Sequence, residues 1–296
     1  MPTQNMNLVQ LMNTFHSDER CRELLEALRW PQGVRCQRCN HDTAWETARA
    51  QYECAQCSYR FSVMSGTIFH DTKLPLQKWF VAVCLMVEAK KGMSANQMKR
   101  VLGVSYKTAW YLCHRIRFAM AEVNAEQLGG QIEVDETFVG GKVRGKGHGY
   151  RGNKSVVVGV VQRKGAIRLQ VASGTDRSTL HAIIHNHVRP DAPNIFTDEW
   201  AAYRGIGDAD TTHETVNHKA EEWVRGDAHT QTVESVWSLL KRSIVGSYHK
   251  VSVKHLDAYL DELEWRFNNR ENSYLFRDTL VKLLQCGNLE YKSLTA

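Results

Sequence analysis

Four cysteines in the amino-terminal part of the sequence have the spacing of a metal site. Cys36 and Cys39 form one Cys-x-x-Cys pair, and Cys54 and Cys57 form a second pair after fourteen residues. Each pair places two thiolates on a tight turn, so the two turns together predict a tetrahedral Zn²⁺ site, although iron could occupy the same four sulfurs. The flanking residues predict two short hairpins with the ligands at their tips. Redox pairs or buried thiols are the alternative, and so small a metal-bound module is expected to fold only with its metal.

Three acidic residues in the second half of the sequence could hold a different metal. Asp135 lies in the strand pattern "QIEVDETFVG", Asp198 ends the apolar run "NIFTD", and Glu234 lies in the amphipathic helix pattern "TVESVWSLLKR". A carboxylate against a packed sheet face is unfavourable unless it meets a cation or a ligand or lies at a solvated strand end, and phosphodiester cleavage by two divalent ions needs several carboxylates. Mg²⁺ or Mn²⁺ would suit such oxygen ligands. A chain with 32 acidic residues also offers many unrelated triples, so surface acids with no common role are the alternative.

Other polar residues accompany these acids. Lys241 follows Glu234 by seven residues, which places both near one face of a helix, where the lysine could contact a DNA phosphate. Glu133 shares one strand face with the aspartate two residues later, because side chains alternate along a strand. We expect Glu133, Glu136 and Glu199 either to be solvated or to support the metal ligands.

The elements that must position these residues alternate between strands and helices from Gln131 onward. Three strand patterns come first, then the helix pattern "RSTLHAIIHNHV", then the strand patterns "PNIFTDEW" and "THETVNH". This order predicts a mixed five-stranded sheet covered by helices, in a chain of mixed α+β and α/β class.

Residues 94–120 predict two helices joined by a turn. Ser94 can cap the first helix, Gly103 ends it, and Ser105 can cap the second helix. Such a pair with exposed basic residues is typical of a helix-turn-helix whose second helix enters the major groove of DNA, and a plain packing hairpin is the alternative. The candidate DNA-contacting residues of the second helix are Lys107, Thr108, Tyr111, His114 and Arg115.

The distribution of charge indicates a polyanionic partner. The net charge is +6, from 38 basic and 32 acidic residues. Between Thr137 and Thr175 there are eight Lys or Arg residues and no acid, and between Ser94 and Met120 there are five and again no acid. Nucleic acid is the expected partner, and two solvated faces are the alternative. Four basic residues of a glycine-rich loop could follow DNA phosphates or belong to a mobile hairpin tip: Lys142, Arg144, Lys146 and Arg151.

The sequence also bears on where the protein works. Its first residues lack the charged and apolar regions of a signal peptide, and the longest apolar run, Trp79 to Val87, is too short to span a bilayer. We therefore expect a soluble, cytoplasmic protein whose thiols stay reduced.

Taken together, the motifs resemble those of the insertion-sequence transposases of the DDE superfamily that combine a zinc ribbon with a ribonuclease-H-like catalytic domain. The resemblance rests on "CQRC" and "CAQC", "VDETFVGGK", "IFTDEWAAY" and "HTQTVESVWSLLKR", and it extends to "YLDELEWRFNNR". It implies that Asp135, Asp198 and Glu234 form a triad that binds Mg²⁺ or Mn²⁺. It also implies that Lys241 is an accessory DNA contact. Thirty-five residues lie between Asp198 and Glu234, which is similar to the spacing in that family.

The activity that this resemblance implies is DNA transposition. Such an enzyme would bind the terminal inverted repeats of its element and target DNA, as a homodimer or larger assembly, and join 3′-hydroxyls to the target. A DNA-binding regulator derived from a transposase and a metal-dependent nuclease or resolvase are the alternatives. The expected domains are an amino-terminal helical segment (1–30), a zinc ribbon (31–66), a helical DNA-binding domain (67–128), a ribonuclease-H-like domain (129–250) and carboxyl-terminal helices (251–296).

Overall fold

The computed structural model describes residues 6–48, 50–141, 152, 154–216 and 224–296, and the chain forms two compact units. The first unit runs to Met120 and also contains Glu271–Ala296, and the second unit is Ala121–Arg270. The five predicted domains divide the chain more finely, and their boundaries stay a prediction. In the part of the chain that the structure describes, no helix is both long enough and apolar enough to cross a bilayer.

Among the described residues, the first unit contains the first five α-helices, three short strands and the last two α-helices, and the second unit contains five strands and three α-helices. In chain order they are α1 (Leu8–Thr14), α2 (Asp18–Arg29), β1 (Ala44–Thr47), β2 (Gln51–Cys54), β3 (Arg60–Phe61), α3 (Leu76–Glu88), α4 (Ala95–Leu102), α5 (Tyr106–Met120), β4 (Gln131–Val139), β5 (Ser155–Gln162), β6 (Ile167–Ala172), α6 (Arg177–His187), β7 (Asn194–Asp198), β8 (Thr212–Val216), α7 (Gln231–Ser243), α8 (Leu256–Asn268), α9 (Leu275–Gln285) and α10 (Tyr291–Thr295).

The first unit packs its helices around α3, which is buried along most of its length. The Phe80 ring of α3 meets the rings of Phe15 and Phe276 at centroid distances of 5.0 and 5.6 Å. Beside these helices, β1, β2 and β3 form a small antiparallel sheet. Aromatic edge-to-face contacts of this kind add to the free energy gained from burial.

The helix pair α4 and α5 has the local structure that the sequence predicts. The Ser94 side chain accepts a hydrogen bond from the backbone N–H of Gln97, and Ser105 accepts one from Thr108 at 3.1 Å. Gly103 ends α4 in the left-handed conformation, with φ of 61°. Only three residues separate the helices, because glycine adopts this conformation without steric cost. Binding of DNA by the pair stays a prediction.

The second unit confirms the predicted mixed five-stranded sheet, whose strand order is β6-β5-β4-β7-β8. β4 pairs with β5 and β5 with β6 in antiparallel fashion, whereas β4 pairs with β7 and β7 with β8 in parallel. On β5, Val158 and Val160 pack with α6, while Val157 and Val161 pack with α7 and α8. Successive valines of β5 therefore face opposite sides of the sheet, and helices cover both sides.

Candidate functional site

The four cysteines form one cluster in the first unit. All four Sγ atoms lie within 4.8 Å of one another, with 3.6 Å between Cys36 and Cys57 and 3.5 Å between Cys39 and Cys54. Tetrahedral coordination with Zn–S bonds of about 2.3 Å requires Sγ atoms about 3.8 Å apart. The spacing of the sulfurs therefore supports a structural zinc site, as the sequence predicts.

The two Cys-x-x-Cys turns have the same backbone hydrogen bonds. The N–H of Asn40 donates to the carbonyl of Cys36, and the N–H of Ser58 donates to the carbonyl of Cys54. Asn40 and Ser58 occupy equivalent positions, with φ of 58° and 51°. The prediction of two hairpins is wrong in detail. The first turn precedes β1, with no strand before it among the described residues, and only the second turn joins two strands, β2 and β3.

Asp135 and Asp198 lie on neighbouring parallel strands at matching positions. β4 and β7 pair Gln131 with Asn194 and Glu133 with Phe196, an offset of 63 positions, and the same offset relates Asp135 to Asp198. Neighbouring strands lie about 4.8 Å apart. Since each aspartate is two residues beyond the last of these pairs, both belong to the same face of the sheet.

The environment of Asp135 fits a cation. The pKa of Asp135 is raised to about 7, mainly by burial and also by the negative charges of Glu136 and Asp198, against the opposing effect of a hydrogen bond from Trp237. The Trp237 Nε1 atom donates to Asp135 Oδ2 at 2.8 Å. Because a divalent cation would favour the ionised form of such a carboxyl group, the donor set is suitable for Mg²⁺.

Glu234 and Lys241 both lie on α7 and are both exposed. Thr230 Oγ1 donates to Glu234 Oε1 at 3.2 Å. Trp237, the residue of α7 that donates to Asp135, follows Glu234 by three residues. The turn that carries Glu234 therefore lies next to the contact with Asp135. Across the described ranges, the cysteine cluster is the one set of three or more His, Cys, Asp or Glu ligand atoms within 4.8 Å of one another. The role of the three carboxylates as a metal triad stays a prediction.

Of the two alternatives expected for Glu133, a solvated acid and a support for the metal ligands, the structure removes the first. The Glu133 side chain has no solvent exposure, so it is not a solvated surface acid. It accepts hydrogen bonds from the backbone N–H groups of Thr232 at 2.7 Å and Val233 at 3.0 Å, and from Arg163 Nε at 2.7 Å. The feature of the sequence that could have indicated a supporting role for Glu133 is its position two residues before Asp135, on the same face of the strand. The sequence contains no indication that a distant helix would bind it.

The other two acids near the aspartates lie in different surroundings. Glu136 points to the opposite side of the sheet from Asp135, where the Tyr203 hydroxyl donates to its Oε2 at 2.6 Å. Glu199 is half-buried. Burial, together with the negative charge of Glu136, raises the pKa of Tyr203 well above its usual value, so this hydroxyl keeps its proton.

The candidate DNA-contacting residues of α5 divide into exposed and buried groups. Lys107 and Thr108 are exposed, and Tyr111 is half-buried, with its hydroxyl donating to the Leu289 carbonyl. The expectation of an exposed position is wrong for His114 and Arg115, which are 1% and 4% exposed. Arg115 donates to the carbonyl of His70, and α9 packs against α5 within the same unit, so these two side chains belong to the interior. DNA contact by Lys107, Thr108 and Tyr111 stays a prediction.

The basic loop lies outside the described residues. This concerns the predicted phosphate contacts Lys142, Arg144, Lys146 and Arg151. Their role stays a prediction from the sequence.

Comparison with known proteins gives two matches to family models. Residues 127–268 match the ISXO2-like transposase domain, and residues 16–60 match the transposase zinc-ribbon domain. The two matched ranges together cover more than half of the chain. They contain all three candidate carboxylates and all four clustered cysteines.

Two curated relatives are similar over different lengths. Over 276 residues the chain is 28% identical to the "uncharacterized protein in transposable element ISH50" of Halobacterium salinarum, a similarity that covers 86% of this chain and 92% of that relative. Over 101 residues it is 28% identical to an "uncharacterized transposase-like protein" of Haemophilus influenzae, covering 34% of this chain and 80% of the relative.

Proposed function

Because the chain belongs to the zinc-ribbon insertion-sequence transposases with an ISXO2-like transposase domain, we propose that it cuts the ends of its own insertion sequence and joins them to target DNA. The bonds broken and formed would be phosphodiesters. Water would first release a 3′-hydroxyl at each transposon end, and that hydroxyl would then attack a phosphate of the target.

The observation that carries the proposal is the position of Asp135 and Asp198 on adjacent parallel strands, at matching register and on one face. The helix with Glu234 lies over that face, since its Trp237 donates to Asp135. Asp135, Asp198 and Glu234 would bind Mg²⁺ or Mn²⁺. Two such ions, when bound, activate the attacking oxygen and stabilise the departing one.

The residues proposed to bind DNA come from both units. In the first unit, Lys107 and Thr108 are exposed at the start of α5, the second helix of the predicted helix-turn-helix. In the second unit, Lys241 is exposed on α7. The partners would be the terminal inverted repeats and target DNA in the bacterial cytoplasm, and pairing of two transposon ends would require at least a homodimer.

The test uses end-labelled DNA from the flanks of the gene, incubated with the protein and Mg²⁺ or Mn²⁺. Asp135→Asn removes a proposed ligand. Asp191→Asn is the matched control, because Asp191 is an exposed acid of the same unit whose ion pair is with the nearby Arg189. We expect nicks with 3′-hydroxyls and joined products from the wild type and the control, and neither from Asp135→Asn.

Three other results would contradict the proposal. Cleavage without joined products would favour a nuclease or resolvase. Tight DNA binding without cleavage in either metal would favour a regulator. Full activity of Asp135→Asn would refute the proposed metal-binding role of that residue.

A further inference from the structure

The first turn of α7 is attached to β4 through Glu133. The Glu133 carboxylate accepts the backbone N–H groups of Thr232 and Val233, and also the Thr232 hydroxyl at 2.8 Å. These two N–H groups are among the first four of the helix, which have no partner inside it. A carboxylate also interacts favourably with the positive end of the helix dipole. Glu133 therefore fixes the position of the turn that carries Glu234.

Arg163 balances the buried charge and holds the segment that enters α7. Its Nε donates to Glu133, and its two Nη atoms donate to the carbonyls of Asp227 and His229, each at 2.8 Å. The guanidinium also lies over the Phe196 ring, 4.1 Å from its centroid. A fully buried carboxylate without such partners would be strongly unfavourable.

A second attachment lies one turn further along α7. The Trp237 indole donates to Asp135, and it lies against Gly159, which pairs with Asp135 across β4 and β5. A Cβ atom at Gly159 would be 2.6 and 2.8 Å from two atoms of the Trp237 ring. The absence of a side chain at Gly159 thus gives the indole the room that it needs to reach Asp135.

We propose that Glu133 and Trp237 are positioning residues that hold Glu234 and Asp135 at a fixed separation for metal binding. Glu133 and Asp135 are two residues apart on one strand face, and they contact α7 on either side of Glu234. A shift of the helix at Glu133 is therefore transmitted to the indole that orients the Asp135 carboxylate. The inference rests on the proposed function for the roles of Asp135 and Glu234 as metal ligands.

The matched control for Glu133 is Glu264 of the same unit. Glu264 is also buried, accepts a backbone N–H from Leu169 at 2.9 Å and pairs with an arginine, Arg168, at 3.3 Å. Among the described residues, no hydrogen bond or ion pair joins Glu264 to α7. Glu133→Gln and Glu264→Gln therefore both keep the size of a buried, hydrogen-bonded acid, and only the first disturbs the attachment of α7.

Two measurements on the full chain test the proposal. The first is Mn²⁺ binding, followed by electron paramagnetic resonance. Loss of a residue that orients a metal ligand typically lowers metal affinity about 10- to 100-fold. We expect such a loss in Glu133→Gln and in Trp237→Phe, and unchanged affinity in Glu264→Gln. If Glu133→Gln does not fold, Glu133→Asp takes its place, because it keeps the charge beside Arg163.

The second measurement needs no metal. With ¹⁵N-labelled indoles, the chain gives a signal for each of its eight tryptophans, and Trp237→Phe identifies the signal of Trp237. Asp135→Ala should shift that signal because the acceptor is lost. Glu133→Gln should shift it as well, and Glu264→Gln should leave it in place.

The outcomes separate this inference from the proposed function. If Glu133→Gln lowers the melting temperature like Glu264→Gln but leaves both the indole signal and Mn²⁺ affinity unchanged, Glu133 is only structural and the inference is overturned. If the wild type binds Mn²⁺ no better than Asp135→Asn, the proposed function fails instead. In that case a shifted Trp237 signal in Glu133→Gln still supports the inference that Glu133 positions the indole through α7. An unshifted signal refutes it.

Discussion

Glu264 should make the stability of the second unit depend on pH in a predictable direction. Burial raises the pKa of Glu264 from its usual value of 4.5 to about 7, even though the Leu169 N–H and the Arg168 charge oppose that shift. Since the folded state binds the proton more tightly, this residue stabilises the fold fully below about pH 4.5. That contribution is lost as the pH rises through about 7.

The size of the effect follows from the difference in pKa. Each pKa unit corresponds to about 1.4 kcal/mol, so the full difference is worth about 3 kcal/mol. Between pH 5.5 and 8, the part of the window in which the effect is measured, Glu264 should account for a loss of about 2 kcal/mol in the free energy of unfolding. Glu264→Gln keeps the size of the side chain and cannot titrate.

The assay is urea denaturation of the metal-free chain at several pH values, for the wild type and for Glu264→Gln. Asp135 has a raised pKa in the same window, so only the difference between the two proteins isolates Glu264. We expect that difference to change by about 2 kcal/mol across the window. If the two free energies of unfolding stay parallel from pH 5.5 to 8, Glu264 is ionised in the folded protein and the reasoning is refuted.

Three further predictions concern the metal, the DNA and the packing. Cys54→Ser should abolish the binding of one zinc ion per chain, measured by elemental analysis, and lower the melting temperature; zinc retained in full would argue against the four-cysteine site. Lys107→Ala should weaken DNA binding and reduce the slope of its salt dependence by about one, whereas Arg115→Ala should act mainly on thermal stability; the reverse pattern would contradict the observed burial. Gly159→Ala should lower stability by about 1–3 kcal/mol in urea denaturation, because its methyl group would overlap the Trp237 ring, and an unchanged value would mean that the ring moves freely.

Several features of this protein could be predicted from the sequence because they depend on residues close together in the chain. The paired cysteines fix a turn and its ligands within four residues, and the structure brings the four sulfurs together. Ser94, Gly103 and Ser105 act through hydrogen bonds and backbone angles of their own helices. The period-two pattern of the strands likewise led to the five-stranded mixed sheet.

The distinction between exposed and buried charges could not be predicted in this way. The two basic stretches indicated polyanion binding, but Arg115, Arg117 and Arg168 are buried, and Arg163 pairs with Glu133. A long side chain with a charged end looks the same in the sequence whether it faces solvent or a buried acceptor. Only the packing of other elements decides between the two.

The sequence by itself determined the local chemistry: the zinc-binding turns, the helix caps, and an aspartate within or at the end of each of two strands. The tertiary structure alone decided that Glu133 binds the end of α7, because residues 99 and 100 positions away supply its partners. It also decided that Trp237 reaches Asp135 over Gly159. Periodicity reports which face of an element is apolar, whereas the partner that covers the face is set by long-range packing, which no local pattern encodes.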